Sequence, residues 1–309
     1  MRLIAGDVGG TKTLLRCVED DGAVSASQRF ESGAYGTFDD LLRAFVVTVP
    51  GAVDAACFAV AGPVIGSHAT VTNLGWSIEV ARLSETFFIP RISLVNDFYA
   101  VALGVPLLGE SDLLSLQKGE RDRAAPVGIL GAGTGLGEAM LIWQKGVHHV
   151  LASEGGHRDF APQNEEQSRL FLDLHARLGH VSWERVVSGM GLVSIFQFLG
   201  GPESTGAEIA ERAEAGDPVA VHTFEIFVDA YGAEAGNMAL SILARGGIFL
   251  AGGVAAKNRR WFTGGHFLEA FHRKGRFRPL METIPVDLIV NQEVGLIGAL
   301  EGARRVAHE

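Results

Sequence analysis

Two short glycine runs constrain this chain more than anything else in it. Residues 3–18 read LIAGDVGGTKTLLRCV and residues 129–143 read ILGAGTGLGEAMLIW. Each is an apolar strand, a glycine turn and a second apolar strand. The second run, with Gly131, Gly133, Gly135 and Gly137, invites a dinucleotide-loop reading. That loop needs G-x-G-x-x-G ahead of a helix, with an acidic residue about 20 positions on. Here Leu136 stands where the third glycine belongs, and Ala139-Met140-Leu141-Ile142-Trp143 reads as a strand. No G-x-x-x-x-G-K-[ST] occurs, which excludes a P-loop. Both runs are β-hairpins, either plain turns or turns whose glycines let backbone N–H groups face an anion.

A second pair of turns falls in the same order, AVAGPV at 59–64 and FLAGGV at 249–254. Four matching turns in one order indicate two related domains rather than a solenoid, and 309 residues suit two domains of ordinary size. Strands are expected at 2–6, 13–18, 54–61, 91–95, 127–130 and 247–251. Helices are expected at 37–48, with Thr37 as N-cap, and at 98–104, 165–178, 183–199, 207–215, 218–244 and 293–307. Gly232 and Gly236 weaken the longest of these and are expected to bend it or expose its backbone. Pro106, Gly109 and the polar run KGERDRAAP at 118–126 place a domain boundary near 105–110.

The formal charge of −10 argues against nucleic acid or an anionic membrane as a partner. With 47% apolar and 20% charged residues the chain is globular. An anionic ligand therefore needs a local site of backbone N–H groups, a lysine or a metal ion. Cys17 and Cys57 lie in apolar runs without ligand spacing and are expected to be buried free thiols, as in a reducing cytosol. No run reaches membrane-spanning length, and the apolar piece after Met1 is too short for a signal-peptide core. A cytoplasmic protein is expected.

Asp7-Val8-Gly9-Gly10-Thr11-Lys12 offers several kinds of phosphate chemistry. Gly9 and Gly10 permit close backbone approach, Thr11 can donate its hydroxyl, Lys12 supplies positive charge, and Asp7 can hold Mg²⁺ directly or through water. A surface turn would use the same residues. Asn96-Asp97 closes the apolar run RISLV and opens a helix. Asp97 there is either an N-cap or a ligand residue at a strand end. Glu154-Gly155-Gly156-His157 has the E-x-x-H spacing of di-iron ligands, but adjacent glycines argue against a helix and no second E-x-x-H exists. A carboxylate beside an imidazole suits vicinal hydroxyls, each a donor and an acceptor; a solvated loop is the alternative. Glu184 follows Ser182, a candidate N-cap, where it would face a helix dipole.

Taken in order, these segments resemble the bacterial ATP-dependent glucokinases, within the superfamily of actin, the heat-shock chaperone ATPases and the sugar kinases. The resemblance rests on Asp7-Val8-Gly9-Gly10-Thr11, Thr72-Asn73-Leu74-Gly75-Trp76, Leu94-Val95-Asn96-Asp97 and the GAGTGLG run at 131–137. It continues through Glu154-Gly155-Gly156-His157, Trp183-Glu184-Arg185-Val186, Ser188-Gly189 and Ala251-Gly252-Gly253-Val254, and so covers nearly the whole chain.

The resemblance implies an α/β fold of two actin-like (ribonuclease H-like) domains around a cleft. The small α/β domain would be 1–107 with 298–309, and the larger α+β domain 108–297. It also implies transfer of the γ-phosphoryl group of ATP to the 6-hydroxyl of glucose. Asp97 is the implied general base, and Asn96, Asp97, Glu154, His157 and Glu184 the implied glucose ligands. Asp7, Gly9, Gly10, Thr11, Lys12, Gly133, Thr134 and Gly135 would hold ATP with Mg²⁺ near Asp7, and Gly252 and Gly253 would pass the adenosine. A homodimer is expected.

The sequence departs from the pattern in places. Lys12 stands where many of this group have asparagine, whereas lysine is familiar there in the related ROK kinases. Those kinases carry a zinc-binding cysteine cluster with no counterpart here, so no zinc is expected. Ser67 stands where the family often has aspartate, which leaves the role of 62–68 open. The rival readings are a kinase for mannose, fructose or an N-acetyl sugar, and a non-enzymatic actin-fold sugar sensor or assembly ATPase. A sensor would be expected to carry a helix-turn-helix ahead of Asp7, which six residues precede.

Overall fold

The computed structural model describes residues 1–71 and 73–308. Thr72 of the T-N-L-G-W segment and Glu309 of the terminal segment lie outside them. The chain divides into two compact units, Met1–Leu108 with Glu293–Glu309, and Gly109–Gln292.

In the first unit, β1 (Arg2–Val8), β2 (Lys12–Glu19) and β3 (Val24–Glu31) form consecutive antiparallel hairpins. Next comes α1 (Phe38–Val46), where Thr37 Oγ1 accepts from the Asp40 N–H at 3.1 Å. Its Phe38, Leu41, Leu42 and Phe45 recur at helical spacing and are buried. Strand β4 (Ala55–Val60) adds parallel to β1 and is apolar and buried along its whole length, as a strand covered on both faces must be. A small sheet of β5 (Val64–Ile65), β6 (His68–Val71) and β7 (Trp76–Glu79) leads into α2 (Val80–Phe87). Strand β8 (Arg91–Asn96) then pairs parallel with β4 and runs directly into α3 (Asp97–Gly104). The C-terminal helix (Val294–Ala307) crosses α3 at close range. A Cβ on Gly298 would lie 1.7 Å from the Ala100 carbonyl oxygen, so only glycine fits that crossing.

The second unit contains β9 (Leu113–Gln117), β10 (Val127–Ala132), β11 (Leu136–Gln144) and β12 (Val147–Ser153). Helices α4 (Glu165–Leu178), α5 (Gly189–Phe198), α6 (Gly206–Glu214) and α7 (Pro218–Ile242) follow. The unit closes with β13 (Ile248–Ala251), α8 (Gly253–Lys257), α9 (Arg259–Thr263), α10 (His266–His272) and β14 (Val286–Ile289). Among the described residues the two main sheets are ordered β3-β2-β1-β4-β8 and β12-β11-β10-β13-β14-β9. The first five positions of each repeat one scheme: two antiparallel pairings, then two parallel ones. The duplication read from the four glycine turns is therefore present as shared topology, with β9 as an addition to the second sheet.

Several sequence-based expectations change. The helix expected over 183–199 is a 3-10 turn, Trp183–Arg185, followed by α5. Ser188 is extended and caps α5, its Oγ accepting from the Gly191 N–H at 3.0 Å, while Ser182 makes no cap bond. The helix expected over 218–244 ends at Ile242, where Leu243 turns left-handed at φ 50. Gly232 and Gly236 do not interrupt it or face solvent: they are buried where α10 crosses. A Cβ on Gly232 would sit 2.1 Å from the Phe267 carbonyl oxygen. The cap of α3 is Asn96, not Asp97, with Asn96 Oδ1 accepting from the N–H groups of Phe98 at 2.9 Å and Tyr99 at 3.3 Å. The first glycine turn is shorter than expected, since Asp7 and Val8 belong to β1 and Lys12 to β2. Cys17 and Cys57 are buried and free, and burial pushes the Cys57 thiol up to about 12. Among the described residues no helix is long and apolar enough to cross a membrane.

Candidate active site

Within the first unit, parallel pairing brings Val8, Val60 and Asn96 level at the carboxyl ends of their strands. That is where ligands sit in sheets of this kind. The turn after β1 is closed by the Gly9 N–H donating to the Lys12 carbonyl oxygen at 3.0 Å. A Cβ on Gly9 would lie 2.8 Å from that oxygen, and one on Gly10 3.1 Å from the Cβ of Asn73. Thr11 is exposed, and the Lys12 ammonium faces Glu31 Oε1 at 3.7 Å across the hairpin. Asp97 opens α3, its Oδ1 accepting from the Phe98 N–H at 2.8 Å. Asn96 Nδ2 donates to the Gly62 carbonyl oxygen at 3.4 Å. Burial, and then the charge of Asp97, push the Asp7 carboxyl up to about 6.

In the second unit, the turn between β10 and β11 is Gly133–Gly135, closed by the Gly133 N–H donating to the Gly135 carbonyl oxygen at 2.8 Å. The segment before α5 braces it. The Gly189 N–H donates to the Gly133 carbonyl oxygen at 2.8 Å, and the Leu136 N–H donates to Glu184 Oε2 at 3.0 Å. Ser188 Oγ donates to the Glu184 carbonyl oxygen at 2.7 Å and so fixes the backbone behind that carboxylate. The other oxygen, Glu184 Oε1, lies 4.0 Å from His157 Nδ1, and His157 Nε2 lies 3.8 Å from Glu154 Oε2. Glu154 and His157 are exposed, on one 3-10 turn, Gly155–His157, and its preceding residue. Thr134 is exposed at the tip of the hairpin. Gly252 follows β13 at φ 88, where a Cβ would meet the Ala132 carbonyl oxygen at 2.3 Å, while Gly253 faces open space.

Glu154, His157, Glu184 and Gly135 thus come together in one unit, and Asp7, Asn96 and Asp97 in the other. Glu138, Arg158 and Glu234 form a further charged cluster beside the 154–157 turn. Nothing in the sequence marks them except charge set within apolar strand and helix. Among the described residues no group of three or more His, Cys, Asp or Glu is placed to hold a metal ion.

Two duplicated α/β units, each containing a glycine hairpin and each presenting carboxylates beside it, define a kinase of the actin-like, sugar-kinase fold. Residues 4–306 match the Glucokinase family, and the chain belongs to that family. Glucokinases of Trichormus variabilis and of a Nostoc species are each 43% identical to it, covering 98% of this chain and 99% of their own length. The solved structure of a glucokinase from an Antarctic psychrotroph has a TM-score of 0.89 at 28% identity, covering 98% of this chain and 99% of that one.

Proposed function

We propose that this chain transfers the γ-phosphoryl group of ATP to the 6-hydroxyl of glucose, giving glucose 6-phosphate and ADP. Beside family membership, one observation carries the reading. The Glu184 carboxylate holds the Leu136 amide of the second glycine hairpin with one oxygen and faces His157 with the other. A single side chain therefore ties the phosphate-type hairpin to the turn suited to sugar hydroxyls.

In this mechanism Glu154, His157 and Glu184 bind ring hydroxyls as acceptors and donors. Asn96 contributes its amide N–H₂, because Oδ1 is already spent on capping α3. Asp97, oriented by the Phe98 N–H, aligns the 6-hydroxyl and takes its proton as the oxygen bonds to the γ-phosphorus. The bond from that phosphorus to the ADP oxygen breaks, and the proton passes from Asp97 to solvent after product leaves. Because such transition states are loose, positioning outweighs basicity. Backbone amides of the two glycine turns, other than those of Gly9 and Gly133 that close them, stabilise phosphate charge, and the Gly252–Gly253 turn, open at Gly253, passes the adenosine. Exclusion of water protects the transfer from hydrolysis.

The donor set fits Mg²⁺ at Asp7. The ion uses one or two carboxylates with phosphate and water oxygens, not a protein cage, and Asp7 is buried near a second carboxylate whose repulsion a cation would relieve. Bound there, Mg²⁺ would neutralise charge on the transferring group. Lys12 joins the phosphates only by leaving Glu31, an exposed pair that costs little to break. Assembly as a cytoplasmic homodimer belongs to the same proposal and is read by light scattering on purified protein. Asp97→Ala tests the chemistry: turnover should fall by at least about 10³-fold while calorimetric ATP binding stays within a factor of about two. Near-wild-type turnover would remove Asp97 from the role of base.

A further inference from the structure

Phosphoryl transfer makes no use of the cluster formed by β11, α7 and the turn after Glu154. Glu138 on β11 and Glu234 on α7 are buried carboxylates in an otherwise apolar layer. Arg158, the residue after His157, lies between them. Its Nη2 donates to Glu138 Oε2 at 2.7 Å and also to Glu234 Oε1, and its Nε donates to the Gly155 carbonyl oxygen at 3.1 Å. The turn rests directly on this cluster. A Cβ on Gly155 would come 1.9 Å from Glu138 Oε2, and one on Gly156 2.2 Å from the Leu136 carbonyl oxygen.

We propose that Glu138, Arg158 and Glu234 form a positioning clamp that sets the turn carrying Glu154 and His157, so that the clamp governs glucose affinity and not ATP affinity. The proposal rests on the sugar-binding reading of those two residues. Its logic is charge balance: one guanidinium faces two buried carboxylates, and a buried pair is held together only if charge and hydrogen bonds both close. They close best when one carboxyl is neutral. Burial raises the Glu234 carboxyl as well, but its ionised form has the better support, since Oε2 accepts from Asn237 Nδ2 at 2.9 Å and the Lys274 ammonium lies nearby. Lys274 itself is anchored on the Ala233 carbonyl oxygen at 2.8 Å and Asn237 Oδ1 at 2.7 Å.

Glu138 has only the clamp. Its Oε1 is buried without a hydrogen-bond partner, and burial followed by the charge of Glu234 pushes its carboxyl up to about 8. The groups facing it are Glu234 and Tyr231 from α7 and Arg158 from the turn, with Lys274 behind Glu234. An open pocket of about 400 Å³, lined by Arg158, Asp159, Trp183, Glu234 and Asn237, reaches the Arg158–Glu234 side of the cluster. A carboxyl raised in the fold contributes fully below its ordinary range, and that contribution is lost as pH rises through the raised value. Above about pH 8 the clamp holds two anions and one cation, and the turn loosens.

The test is steady-state kinetics of the full chain, with glucose and ATP varied separately, on wild type, R158K, E138Q and H157A. R158K keeps the charge but lacks the fork, and should raise the KM for glucose about tenfold with the KM for ATP unchanged. E138Q reproduces the neutral carboxyl. It should match wild type near neutral pH and lack the rise in glucose KM expected of wild type above about pH 8. An unchanged glucose KM in R158K, equal rises in both KM values, or an E138Q profile that tracks wild type would overturn the clamp. H157A separates the two layers. If it leaves glucose KM unchanged, the sugar-binding reading has failed; if it raises glucose KM while R158K does not, only the clamp has failed. Thermal midpoints check folding, and should R158K not fold, the E138Q pH profile decides alone.

Discussion

Replacing Gly135 by alanine is the smallest change that should uncouple the second glycine hairpin from the turn proposed to bind sugar. Gly135 does not have a positive φ, so alanine meets no backbone strain there. The effect is local and steric. The new methyl would lie 2.2 Å from Glu184 Oε2 and 3.1 Å from its carboxyl carbon. Ordinary van der Waals separation demands that the carboxylate retreat by about 1 Å. That retreat breaks the 3.0 Å hydrogen bond from the Leu136 N–H, a bond to a charged acceptor worth about 1.5–3 kcal/mol. A misplacement of about 1 Å in a positioned group costs about 10²-fold in rate, equivalent to about 2.7 kcal/mol. The two routes agree, so kcat/KM for glucose should fall about 10²-fold in a coupled ADP-release assay. A double-mutant cycle gives the sharper outcome: in a Glu184→Ala background, Gly135→Ala should add almost nothing. Activity within about twofold of wild type, or full additivity in that background, would refute the argument.

Three further outcomes follow from the same geometry. Gly232→Ala sets a methyl 2.1 Å from the Phe267 carbonyl oxygen where α7 meets α10, and should lower the unfolding free energy by about 1–3 kcal/mol in urea titration. Glu138, raised to about 8, contributes stability that is complete below the ordinary glutamate range and lost as pH rises through about 8. The urea midpoint should therefore decline over that window in wild type and less steeply in E138Q. Asp7, raised to about 6, is increasingly protonated below that pH, so the KM for Mg²⁺–ATP should climb as pH falls through about 6. A flat profile would remove Asp7 from the ion site.

Much of the architecture could be read from local pattern. The paired glycine turns announced duplication because each joins two apolar strands, and the shared strand order follows from them. Thr37 and the span of α4 were likewise visible, since capping and helical spacing are local signals. Two edge strands, β3 and β12, were not: both are largely exposed, β3 is mostly polar, and β12 mixes apolar and polar residues without strict alternation. Gly232 and Gly236 read as weak points because sequence shows their cost to an isolated helix and not the close crossing that requires them. For the proposed site, resemblance and hairpin chemistry singled out Asp97, Glu154, His157 and Glu184 as candidates. The bond from Leu136 to Glu184 spans 48 positions, and the Arg158 clamp draws on residues 76 positions apart, distances over which no local pattern speaks.

The central claim is tested most directly by the sugar dependence of ADP release. Purified protein with ATP and Mg²⁺ is assayed against glucose, mannose, fructose, N-acetylglucosamine and N-acetylmannosamine, with ³¹P NMR identifying the product. The account predicts the highest kcat/KM for glucose, a product phosphorylated at the 6-position, and no turnover in Asp97→Ala. A higher kcat/KM for an N-acetyl sugar, or ADP release that does not depend on sugar at all, would contradict it.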